Sequence, residues 1–116
     1  MRERPRLLTI GEEMRRWCAL LREELSSWPH VRSRPMFGLV GFYRGQRIFA
    51  AVPLTRAADT ATSIMLKLPG VRSARLRRGG PGAACVTFEM ASDSDVAEAL
   101  RWLGRAYKMA ATGRRR

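Results

Sequence analysis

Met36-Phe37-Gly38-Leu39-Val40-Gly41-Phe42-Tyr43-Arg44-Gly45-Gln46-Arg47-Ile48-Phe49-Ala50-Ala51-Val52 reads as two apolar strands joined at Arg44-Gly45, with glycines inside the first strand. Gly45 can take positive φ without strain, so the centre of the stretch suits a tight turn. Gly38-x-x-Gly41 sits within a strand pattern, and there glycine marks a bulge or close backbone packing against a helix. A hairpin of this kind builds a sheet and displays no catalytic group.

Pro53 closes the second strand, and Leu54 to Ala61 reads as a loop or a short helical turn. Thr62 to Leu68 is a third strand, and Val71 to Leu76 an irregular fourth. Arg77-Arg78-Gly79-Gly80-Pro81-Gly82 is a loop, and Ala84 to Met90 is a strand rich in β-formers. Val31 to Arg34 is a short extended segment before Pro35.

On the amino-terminal side, Thr9-Ile10-Gly11-Glu12 fits a capping box and starts a helix running to about Ser26. Its apolar stripe is Met14, Trp17, Cys18, Leu21 and Leu25, at helical spacing. At the other end, Ser92, Asp93 or Ser94 caps a second helix whose stripe is Val96, Leu100, Leu103 and Tyr107. Gly113 is its stop signal. The expectation is an α+β fold: one curved, mostly antiparallel sheet of about five strands, with the N- and C-terminal helices packed on one face. Residues 1–8 read as a basic arm, 9–112 as one domain and 113–116 as a basic tail.

The chain has 116 residues, 46% of them hydrophobic, which suits one core. No apolar run approaches the roughly 20 residues that cross a bilayer, and the N-terminus lacks the pattern of a secretory signal. The expectation is a cytoplasmic protein without a membrane partner. Cys18 and Cys85 each sit in an apolar pattern and read as reduced, buried thiols. They have no metal-ligand spacing, and no metal or other cofactor is expected. His30, the single histidine, has no acidic neighbour in sequence and reads as a surface or core residue. Glu12-Glu13 and Glu23-Glu24 lie about 16 Å apart along one helix, too far to flank one bond. No enzymatic activity is expected.

Charge is the second strong signal. Twenty-two Lys+Arg against ten Asp+Glu leave a net charge of +12, and only Lys67 and Lys108 are lysine. Arginine presents a planar fork of donors suited to phosphate and carboxylate. Arg44 and Arg47 lie at one hairpin tip, while Arg72, Arg75, Arg77 and Arg78 cluster around another loop. These six are the candidate nucleic-acid or anion-binding residues. No helix-turn-helix, zinc-finger or RNP-like aromatic pattern accompanies them.

Met36-Phe37-Gly38-Leu39-Val40-Gly41-Phe42-Tyr43, followed by Phe49-Ala50 and by Met65-Leu66-Lys67-Leu68, resembles the N-terminal domain of TfoX-like proteins over roughly residues 14–110. Leu39 stands where that family usually has glycine, and the segment after Pro69 departs from its pattern. The resemblance implies the architecture shared with MmcQ/YjbR-like proteins, dimerisation, and a regulatory role linked in some members to competence. It brings no catalytic residues. Two expectations follow. One is a non-enzymatic regulatory or nucleic-acid-associated module, with nucleic acid or an acidic protein as partner. The alternative is a protein-interaction or homodimerisation module, in which the apolar Ile48 to Val52 strand pairs at a sheet edge or covers a partner.

Overall fold

The computed structural model describes residues 7–78 and 84–112. Most of the expected arm, the Gly79 to Gly82 loop, Gly113 and the basic tail lie outside the described residues. The elements, in order, are β1 (Leu7–Thr9), α1 (Glu12–Ser26), β2 (Val31–Met36), β3 (Leu39–Arg44), β4 (Arg47–Pro53), β5 (Arg56–Ala58), β6 (Ser63–Lys67), β7 (Leu76–Arg78), β8 (Cys85–Glu89) and α2 (Asp95–Thr112). Six strands form one open antiparallel sheet in the order β2-β3-β4-β6-β8-β7, and β1 and β5 form a second, two-stranded sheet. This is the expected α+β architecture, with more strands than expected.

The expected α1 stripe is buried throughout, whereas the expected α2 stripe is buried only at Leu103 and half-buried at Val96, Leu100 and Tyr107, the α2 contact being completed by small alanines. On α1, Met14, Trp17, Cys18, Leu21 and Leu25 are all buried, and on α2, Ala99, Leu103 and Ala106 are. They share one core with Phe42, Val52, Ile64, Leu66, Val86 and Phe88, which come from one face of the sheet. The Trp17 indole donates to Asp93 Oδ1 at 2.7 Å and so ties α1 to the approach of α2. The Tyr107 hydroxyl donates to the Pro29 carbonyl at 2.7 Å and ties α2 to the end of α1.

The opening stretch differs in one decisive way. It contains two turns. Phe37 and Gly38 form a two-residue connection between β2 and β3 with φ of 50° and 89°, the signs of a type I′ turn. Gly45-Gln46 then joins β3 to β4, with positive φ at Gly45 alone (63°), as in a type II′ turn. Gly38 is therefore a turn residue and not a strand glycine, and its close neighbours are Thr55 and Arg56 at the start of β5 rather than a helix. A Cβ there would stand 3.0 Å from Arg56 Cβ and from Thr55 Oγ1. Its carbonyl accepts the backbone N–H groups of Leu54, Thr55 and Arg56 at 2.9, 2.9 and 3.1 Å. The β2–β3 turn is thus pinned to the corner where β4 ends and β5 begins.

Other expectations are corrected in the same region. Leu54 to Ala61 contains β5, which pairs with Leu7 to Thr9, so Leu7 and Leu8 of the expected arm belong to a strand. That pairing removes Thr9 from its expected role as a cap. The residue before α1 is Gly11, and no side chain caps it. Val71 to Arg75 is not a strand, and pairing begins at Leu76.

Candidate anion-binding rim and uncovered sheet face

Period-two alternation assigns the side chains of the sheet to its two faces. The face away from the helices holds a hollow of about 320 Å³ lined by Met36, Leu39, Ile48, Ala51, Met65, Lys67 and Cys85. These residues come from β2, β3, β4, β6 and β8. Gly41 leaves room in this wall: a Cβ there would meet Met36 Cε and Ile48 Cδ1 at 3.3 Å. A register shift between Phe42 and Tyr43 adds a bulge on β4 opposite them, which increases local twist.

The same alternation places cations around this hollow. Arg32 and Arg34 pair with Tyr43 and Gly41, four and two residues before Met36, so both lie on its face. Arg77 pairs with Thr87, which in turn faces Met65, so Arg77 is on that face at the opposite edge. Lys67 pairs with Cys85 and stands at the end of the hollow. A second hollow of about 250 Å³ wraps that end between the sheet and α2. It shares Ile48 and Lys67 with the first and adds Arg47. Lys67 is half-buried and makes no ion pair among the described residues.

The six candidate arginines are only partly brought together. Arg72, Arg77 and Arg78 line one shallow hollow of about 190 Å³ at the β7 edge. Arg47 and Arg78 lie toward the same end of the sheet but three strands apart, about 14 Å by strand spacing alone. Arg44 is turned to the other face: its guanidinium lies 4.0 Å from the Tyr107 ring centre and donates to the Tyr107 carbonyl at 3.1 Å. Arg75 is committed to α2. It donates to Glu98 at 3.0 to 3.2 Å and to Asp95 at 3.1 Å, with its guanidinium 5.1 Å from the Phe88 ring. The hydrogen bond from Arg75, above all, holds the Glu98 carboxyl below its ordinary range, and that from Trp102 adds to it. Arg77 reaches Asp59 at 3.8 Å, and Asp59 accepts the Thr87 hydroxyl at 3.2 Å. Arg44 and Arg75 therefore hold the fold together. Arg47 and Arg72 carry no carboxylate partner among the described residues.

Of the two routes expected for the Ile48 to Val52 strand, edge pairing is excluded. Ile48 to Val52 lies inside β4, hydrogen-bonded on both sides, so it cannot add a strand from a partner. Exposed large apolar side chains sit elsewhere. Phe37 is 85% exposed at its turn, and Leu54, next to it through the Gly38 carbonyl, is 42% exposed.

The remaining chemical groups are quiet. Cys18 and Cys85 are buried and unpaired, and burial pushes the Cys18 thiol up to about 12 and the Cys85 thiol upward. Neither is a thiolate near neutral pH. His30 is exposed in the turn after α1, at φ 63°. Glu12 and Glu13 are exposed, and Glu24 accepts the Trp28 indole N–H. Among the described residues no three His, Cys, Asp or Glu gather as a metal site, and no helix is long and apolar enough to cross a membrane.

Sequence reasoning missed the hollow because its lining is scattered over five strands. One signal was present: Ile48 to Val52 is apolar at successive positions, which marks a strand whose two faces both want cover. The helices supply it on one side only. The chain matches no known family, no curated protein and no solved structure.

Proposed function

We propose that this chain is a non-enzymatic binding module, of the small regulatory kind that the TfoX-like resemblance implies, and that it holds nucleic acid through its phosphates. The observation that carries the reading is the set Arg47, Arg72 and Arg78 with Lys67. They spread along one end and edge of a rigid sheet, and Arg47 and Arg72 have no carboxylate to satisfy them among the described residues. A spread of arginines suits a line of phosphates better than one compact anion. Among the described residues no pair of exposed aromatics on the sheet offers base stacking, and the reading is of sequence-tolerant binding.

The test is polarisation of a labelled mixed-sequence duplex over a range of salt. Affinity should fall linearly with salt on logarithmic axes. Changing Arg47, Arg72 and Arg78 to Ala together should flatten that line by about 0.9 for each phosphate no longer neutralised. Arg44→Ala should instead cost about 2 kcal/mol of stability, from a charged hydrogen bond and a cation–π interaction, and leave the salt slope alone. Absence of binding even at low salt would refute the proposal, as would a triple variant that binds like the parent.

A second reading has its own observation. Phe37 and Leu54 form an exposed apolar tip beside Arg56, a composition suited to anchoring in an acidic protein partner.

A further inference from the structure

We infer that the hollow on the uncovered sheet face is a binding site for an amphipathic carboxylate: an unbranched acyl chain lying among Met36, Leu39, Ile48, Ala51 and Met65, with its carboxylate at Lys67. The volume, about 320 Å³, falls in the range of small-molecule sites, and the lining is apolar except for one cation at its end. That arrangement has a direction. A chain enters along the apolar floor, and its charged end meets Lys67 where the hollow joins the neighbouring one that holds Arg47. Both hollows share Ile48 and Lys67, so the charged end sits at the junction and reaches solvent.

The side-chain types fit a flexible occupant. Met36 and Met65 are unbranched and polarisable and adapt to irregular apolar shapes. Ala51 and Gly41 keep the floor low. Cys85 at the wall is neutral, so Lys67 has no thiolate to pair with. Lys67 also lacks an ion pair among the described residues, which leaves its charge available to a ligand.

Other occupants fit less well. A second copy laid face to face would bring Arg32, Arg34, Lys67 and Arg77 toward the same cations, and like charges in an interface are repulsive. A phosphodiester backbone gains nothing from an aliphatic floor. A cationic amphiphile would meet Lys67 and the Arg47 side of the junction.

The experiment is calorimetric titration of the full chain with hexanoate, octanoate, decanoate, decanol and decylamine, each below its aggregation concentration. Affinity should rise about fourfold per added methylene, the value of burying one such group. Decanoate should bind at least tenfold more tightly than decanol, and decylamine weakest. Lys67→Met should erase the advantage of decanoate over decanol. Ala51→Trp should remove all binding. Failure of decanoate to bind would overturn the inference. So would equal binding of decylamine, or binding that survives Ala51→Trp.

Discussion

Phe37 and Gly38 are the one pair of successive positive-φ residues among the described residues. A type I′ turn needs positive φ twice, and Asn-Gly is its preferred pair. Here the first position is an aromatic residue at φ 50° with its ring 85% exposed. The left-handed conformation costs an ordinary residue about 1–2 kcal/mol, and the exposed ring recovers little of it by packing. Phe37→Asn should therefore raise stability by about 1 kcal/mol in urea unfolding. Gly38→Ala should lower it by about 2 kcal/mol, because φ is 89° and the new Cβ would press on Arg56 and Thr55. If Phe37→Asn proves neutral or destabilising, the Phe37 ring has a structural role. The same pair explains why the turn was not legible in sequence. Phe-Gly is not a turn signal, and the apolar pattern from Met36 to Tyr43 runs through it without a break. What identifies it is the Gly38 carbonyl meeting three N–H groups from residues 54–56, a long-range fact.

At the scale of elements, legibility follows periodicity. The stripes of α1 and α2 repeat over 15 and 18 residues, long enough for the helical spacing to stand out, and the apolar residues they name pack in one core. Strands β1 and β5 have three residues each, too few to show an alternation. The arginines were visible as charge, but their partners were not. Arg75 and Glu98 are separated by 23 residues, and only the packing of α2 near β7 joins them. This pairing has a pH signature. Glu98 in the unfolded chain protonates near its ordinary value of about 4.3, and in the folded protein lower, because Arg75 hydrogen-bonds the ionised form. Its contribution is complete above the unfolded value and is lost as pH falls through the folded one. Stability should therefore drop through this acid window in the parent, and the drop should be shallower in Glu98→Gln, measured by thermal unfolding across pH. An unchanged profile would show that the exposed pair is fully screened.

At the scale of the whole molecule, the sheet leaves three surfaces to solvent: one face and two edges. The face holds the apolar hollow with Lys67 in its lining, and Arg32, Arg34 and Arg77 of the two edge strands lie on the same face. The edges themselves are β2 and β7. An unpaired strand invites a foreign strand to hydrogen-bond along it, and arginine or proline there discourages the attempt. β2 reads Val31-Arg32-Ser33-Arg34-Pro35-Met36, and β7 reads Leu76-Arg77-Arg78, so among the described residues both border strands of the main sheet are charged or interrupted. Arginines on both border strands thus oppose edge-to-edge pairing of copies of the chain. Changing Arg32 and Arg34 to Thr and Pro35 to Val should leave the monomer folded by circular dichroism yet produce growing species in light scattering on standing. The border strands would then act as seeds for fibrous self-assembly, a hazard that this basic sequence holds off with three residues on one strand and two on the other.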